Sequence, residues 1–195
     1  MIAYVRGKFV DKTPARVIVD VNGVGYDLQI SLNTYSAISN SEEGQLYTYL
    51  HLFENGQTMY GFSGVAEKDM FLQLISVSGV GAATARMMLS GMRPEEISRA
   101  IIQGNTKQLE SIKGIGKKSA ERLIVELKDK FGKQALENPL SGIQVSSVEN
   151  DAITALVALG IGRTMAENAI KKVIQTNPNI ALEELIKQAL KSILL

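Results

Sequence analysis

The sequence predicts an α+β chain of three domains: a small domain of short β-strands, a helical domain made from a duplicated unit, and a C-terminal domain of three helices. Three observations carry this prediction. Apolar residues alternate in short runs as far as residue 62 and then adopt a helical spacing. One pattern of apolar residues and glycines occurs twice, with Gly79 and Gly114 at equivalent places. A stretch mixing glycine, proline and serine then interrupts the helical periodicity before it resumes.

The β-rich runs are "ARVIVDV", "YDLQIS", "QLYTYLHLF" and "TMYGF", punctuated by Asn22-Gly23 and Asn55-Gly56. Asn-Gly between such runs predicts a tight hairpin, because both residues tolerate positive φ. Several short strands within residues 1–62 imply a small closed barrel of the OB type. The helical domain is expected over 63–135 and a flexible linker over 136–148. The last domain, 149–195, has three helices. Gly160 is expected to close the first, Thr164 with Glu167 to cap the second, and Pro178 to separate the second from the third.

Composition narrows the chemistry. The 195 residues are 45% hydrophobic and 21% charged, with a net charge of +1 and no cysteine, which excludes disulfides, thiolate zinc sites and cysteine nucleophiles. His51 is the only histidine and sits in an alternating, strand-like setting, so a structural role is expected of it. No apolar stretch approaches the length of a spanning helix, and a cytoplasmic protein without membrane contact is expected. Charge is uneven: four basic against six acidic residues in 1–62, twelve against eight in 63–135, and five against six in 136–195. A polyanion is therefore expected to meet the middle segment.

Within that basic segment "LISVSGVGAATARMML" from Leu74 matches "LESIKGIGKKSAERLI" from Leu109. Each copy reads as helix, Gly-apolar-Gly hairpin, helix, with Val80 or Ile115 tucked between the helices and the glycines taking the unusual turn geometry. This resembles the tandem helix-hairpin-helix module of DNA-binding proteins. A phosphate loop is excluded because Ser111 stands where its first glycine belongs and Lys118 follows Lys117; a dinucleotide fingerprint fails at Ser119. The hairpin amides Gly79, Val80, Gly81, Gly114, Ile115 and Gly116, with Ser119 and the first free N–H groups of the following helix, can converge on a phosphate. Lys117, Lys118 and Arg122 add charge there, and Arg86 supports the first copy. Contacts of this kind grip the backbone and carry no base information, so shape is read rather than sequence.

The chain as a whole resembles the RuvA family, the Holliday-junction-binding subunits of the bacterial branch-migration complex. The resemblance rests on "MIAYVRGKF", "VNGVGYDL", "YGF", "SGVGAATA", "LSGM", "GIGKKSAERLIVELKDKF" and "ALVALGI", in that order. It implies an OB barrel, a tandem helix-hairpin-helix domain and a mobile three-helix, UBA-like domain. It also implies a homotetramer whose basic face holds an open four-way junction, with one or two tetramers per junction. The third domain would dock the RuvB ATPase through Leu156, Leu159, Ile161 and Leu190, and RuvC would join as the resolving nuclease. Catalysis, cofactor and metal are expected of none of these residues. In the family a pair of acids forms a pin at the junction centre; here the pair is Glu54 and Asn55, so one acid is replaced. Ala82 and Ala83 likewise stand where the first hairpin of the family often carries a lysine. The rival readings are a helix-hairpin-helix glycosylase or nuclease, for which no convincing catalytic lysine, aspartate or carboxylate cluster follows either hairpin, and a single-strand-binding barrel, which the acidic first segment disfavours.

Overall fold

The computed structural model describes residues 2–137, 148–177 and 180–194. These form two compact units, the first containing five strands and six helices and the second three helices.

The first unit begins with β1 (Tyr4–Thr13), β2 (Arg16–Val21), β3 (Val24–Ile30), α1 (Leu32–Ile38), β4 (Glu43–Phe53) and β5 (Gly56–Phe62). The strands close into a barrel in the order β1-β2-β3-β5-β4, with β3 and β5 parallel and the other pairs antiparallel. Val5, Val17, Val19, Leu28, Ile30 and Leu46 fill the interior, and Ile38 of α1 joins them. β1 closes the barrel by pairing with both β2 and β4. Its register with β2 shifts between Phe9 and Asp11, and at Gly7 a Cβ would fall 1.9 Å from the Asp20 carbonyl oxygen. The first hairpin turns on Asn22 (φ 52°) and Gly23 (φ 88°), as the Asn-Gly pair predicts.

The second Asn-Gly pair departs from expectation. Phe53 pairs with Gly56, so the two turn residues are Glu54 and Asn55, and Asn55 does not take positive φ. The dipeptide sits one place late. Strand register, fixed by the buried residues of β4 and β5, has placed Gly56 at the end of the turn, where a type I turn favours it.

The helical part comprises α2 (Val65–Ile75), α3 (Ala82–Gly91), α4 (Pro94–Gln103), α5 (Thr106–Glu110) and α6 (Lys117–Glu137). Its core runs from Phe71 through Leu89, Ile97 and Leu109 to Leu123, Leu127 and Phe131. Helical spacing predicts a buried face of α6 at Ala120, Leu123, Ile124, Leu127 and Phe131; all are buried except Ile124, which is half-buried against the core. The helix continues through Leu136 and Glu137 and so overruns the expected linker start, while Val148 already opens the next helix. The middle of that linker, 138–147, lies outside the described residues.

Barrel and helices share one seam. The rings of Tyr49, Tyr60 and Phe62 pack on Phe71, with centroids 5.5, 5.0 and 5.0 Å apart. Beside them the Glu67 carboxylate is buried and accepts hydrogen bonds from the hydroxyls of Ser31, Thr34 (2.6 Å) and Ser63 (3.4 Å). Ser31 Oγ in turn accepts the Thr34 amide, capping α1, and Thr34 Oγ1 accepts the Ser63 amide. Asn33 Nδ2 donates to the carbonyls of Leu89 and Met92 at 2.6 and 3.0 Å.

The second unit is α7 (Val148–Ala158), α8 (Arg163–Thr176) and α9 (Leu182–Leu194), around Ala152, Leu156, Ala166, Ile170, Leu185 and Ala189. Gly160 ends α7 at φ 88°, with its amide bonded to the Val157 carbonyl and the Ile161 amide to that of Leu156. That is a Schellman closure. The cap of α8 corrects the sequence reading. Gly162 is the N-cap and supplies no side-chain bond; Thr164 lies inside the first turn, and Glu167 instead pairs with Arg163 at 2.9 Å. Pro178 lies outside the described residues.

Candidate nucleic-acid interface

The two hairpins repeat one hydrogen-bond pattern. In the first, the Val80 amide bonds the Val77 carbonyl and the Ala85 amide bonds that of Gly81, at 3.0 and 2.9 Å. In the second, Ile115 bonds Ile112 and Ala120 bonds Gly116, both at 3.0 Å. Ser76 and Ser111, also equivalent, each donate a 2.7 Å bond to the carbonyl three residues earlier. Gly79 and Gly114 have φ of 89° and 95°, a region in which a side chain is strained, while Val80 and Ile115 are buried between the helices. Gly81 caps α3 without a side chain. The first amides of α3 therefore have no intrahelical acceptor, and those of α6 start from the equivalent Gly116.

Lys117 and Lys118 are exposed on the first turn of α6, and Ser119 is half-buried. Cations at this end of a helix are unfavourable unless an anion sits beside them. Arg122 joins the two hairpins: Nη1 donates to the Ser78 carbonyl at 3.2 Å, and Nε pairs with Glu126 at 3.2 Å. The structure adds Lys113, exposed just before Gly114 at the place equivalent to Ser78. The repeat itself held that signal.

Arg86 is held against the barrel. Its Nη1 donates to the Ala15 carbonyl at 3.0 Å and to Gln29 Oε1 at 2.7 Å, which ties α3 to the barrel. Burial pushes the Tyr60 hydroxyl above its usual range, and the nearby Arg86 charge partly offsets this.

Glu54 and Asn55 form the tip of the β4–β5 hairpin, where residues 52–57 are all exposed. The family-like set of the second unit divides. Leu156 is fully buried in the core of the second unit. Leu159 is 65% exposed, and Ile161 and Leu190 are half-buried against the core. Val157 and Met165, missed in the sequence because apolar residues at helical spacing do not reveal which of them face inward, are exposed on the helices flanking Leu159.

Among the described residues there is no cluster of three or more potential metal ligands, and no helix is long and apolar enough to cross a membrane. A closed five-stranded barrel joined to duplicated helix-hairpin-helix units, and a separate three-helix unit, define a class of modular, backbone-gripping DNA-binding chains. Family models match each part in order: the RuvA N terminal domain over residues 1–61, the SAM-like helix-hairpin-helix tandem over 71–129, and the RuvA C-terminal domain over 147–194. Relatives named Holliday junction branch migration complex subunit RuvA agree over nearly full length. That of Cytophaga hutchinsonii is 44% identical over 197 residues, covering 98% of this chain and 99% of its own. That of Flavobacterium psychrophilum is 42% identical, covering 99% and 100%. That of Bacteroides thetaiotaomicron is 40% identical, covering 98% and 99%. The chain belongs to the RuvA family.

Proposed function

We infer that this chain is a cytoplasmic, non-catalytic subunit that binds four-way junction DNA without regard to sequence and engages the RuvB ATPase for branch migration in recombination and repair. The observation that carries the reading is the pair of matched hairpins, each with a positive-φ glycine ahead of a helix start, joined through Arg122 and Ser78. Phosphates bind at Gly79, Val80, Gly81 and their counterparts Gly114, Ile115 and Gly116, with Lys113, Lys117, Lys118 and Ser119 reinforcing the second site. Arg86 supports the first only indirectly, by fixing α3 on the barrel.

The working form is a homotetramer, one or two per junction, with the Glu54–Asn55 tips at the branch point. Four carboxylates rather than eight face the crossover, because Asn55 replaces an acid. The Leu159 surface, with Ile161, Leu190, Val157 and Met165 around it, meets RuvB, and RuvC joins the same complex. A helix-hairpin-helix glycosylase or nuclease is disfavoured by family matches in all three parts of the chain. Affinities for a four-way junction, a linear duplex and a single strand of equal length test the reading. Preference for the junction is expected; equal affinity for linear duplex, or strand cleavage or base excision by the purified chain, would overturn it.

A further inference from the structure

The β4–β5 hairpin carries more than an acid at its tip. Tyr49, His51 and Phe53 alternate along β4 and so share a face, and their rings form a file with centroids 6.2 and 6.0 Å apart and planes inclined by 30° and 34°. The file is anchored at its inner end, where Tyr49 packs on the buried Phe71, and Tyr60 meets the edge of His51 at 6.5 Å. At the outer end the Phe53 ring lies over Gly56 across the hairpin, so close that a Cβ on Gly56 would stand 3.2 Å from the ring. Phe53 is nevertheless 52% exposed. A single exposed phenylalanine is ordinary on a protein surface. This one is held at the end of a ring stack, on a projecting tip, next to Glu54.

We propose that Phe53 is a base-stacking residue, which receives the face of a nucleobase freed from its pair at the branch point. The charge around it selects the base over the backbone. Glu54 and a barrel segment with more acidic than basic residues repel phosphate, whereas an aromatic ring attracts the only planar apolar surface that DNA offers. Within a paired arm those faces are covered by stacking; they are open only where pairing or stacking is broken. A ring fixed beforehand by His51 and Gly56 loses little freedom on taking up a base. Where one acid of the pin is missing, stacking holds apart strands that charge alone would otherwise have to separate. The proposal rests on the reading that this hairpin reaches the crossover.

The test uses the full chain with three DNAs: a four-way junction paired to its centre, the same junction with one unpaired nucleotide in each arm at the crossover, and a linear duplex. The intact protein is expected to favour the unpaired-centre junction over the paired one by about fivefold or more, the low end of what stacking on one base supplies. F53A should abolish that preference while keeping preference for either junction over duplex, and F53W should restore it. Circular dichroism and gel filtration accompany each variant. Retention of the full preference by F53A, or failure of F53W to restore it, would overturn the proposal. So would dissociation of the assembly by F53A, which would make Phe53 a contact between copies. E54Q separates the two readings. If E54Q alters junction complexes and F53A behaves like the intact protein, stacking alone falls; if neither variant changes any complex and no preference exists, the hairpin does not reach the branch point.

Discussion

Replacing Lys117 and Lys118 by alanine should weaken junction binding chiefly by flattening its salt dependence, whereas replacing Arg86 should weaken the fold and leave that dependence alone. Both lysines are exposed on the first turn of α6, so the substitutions remove charge without touching the core. Each phosphate contact contributes about 0.9 to the slope of log affinity against log salt. If every subunit of a tetramer uses both lysines, the slope falls by roughly 7; if each uses one, by roughly 3.6. Between 50 and 200 mM salt the larger figure corresponds to about four decades of differential affinity.

Arg86 is half-buried, and Nη1 makes two bonds to the barrel. Its removal should cost about 2 kcal/mol, since bonds from charged donors contribute roughly 1.5–3 kcal/mol but this one is partly solvated. For a unit of this size that lowers Tm by roughly 5–10 °C. Fluorescence anisotropy of a labelled four-way junction across a salt series, with thermal unfolding in parallel, reads both quantities. An unchanged slope in the double lysine variant would return the second hairpin to a simple helix-helix turn. An equal flattening by Arg86→Ala would show that its barrel bonds yield to phosphate on binding.

Gly114→Ala, at φ 95°, should destabilise the first unit by about 1–2 kcal/mol and weaken junction binding at every salt concentration without changing the slope, because no charge is lost. Leu159→Asp should leave the helical circular dichroism of the second unit intact and abolish stimulation of RuvB ATP hydrolysis. Leu156→Asp, which puts a charge at a fully buried site, should unfold that unit. A chain ending after Glu137 retains the barrel, both hairpins and all of α6; it should bind the junction yet fail to support branch migration with RuvB. Glu67→Ala strands three hydroxyl donors at the seam; it should cost on the order of 3 kcal/mol and reduce the ratio of junction to duplex affinity more than duplex affinity itself.

The hairpins were legible in the sequence because their geometry is local. A glycine that must adopt positive φ, an apolar residue one place later and a helix start form a pattern within a few residues, and its recurrence removed the ambiguity of a single copy. β1 was not legible, because it pairs on both edges and its register with β2 shifts between Phe9 and Asp11, so only Val5 among its residues is buried and alternation is blurred. The fate of Arg86 was hidden for a different reason: its acceptors, Ala15 and Gln29, lie 71 and 57 residues away, and only barrel closure brings them near. Leu156 and Leu159 look alike in sequence. Their separation into core and surface is decided by where α8 and α9 cover α7. Asn55-Gly56 shows that a turn signal fixes the presence of a hairpin more securely than its register, which here follows the buried residues of both strands.

Contacts to phosphates carry no sequence information, so a chain built on them can recognise a branched structure only through the relative positions of its contacts. Two sets of bonds supply those positions within the first unit. Arg122 holds one hairpin to the turn of the other, which fixes the spacing of the two proposed phosphate sites. The Glu67 cluster, the Asn33 bonds to the end of α3, the Arg86 bonds to the β1–β2 turn and β3 and the rings around Phe71 then fix the hairpins relative to the barrel and the β4–β5 hairpin. A carboxylate is suited to the centre of this seam because it only accepts: each of its hydroxyl partners donates to it, while Ser31 and Thr34 also accept a backbone amide, so their hydrogen-bonding directions are determined. An amide in the same place offers a donor that Ser31 and Thr34, already accepting elsewhere, are poorly placed to receive. On the proposed reading, selectivity for a four-way junction is thus a property of these buried polar groups as much as of the exposed lysines of the second hairpin.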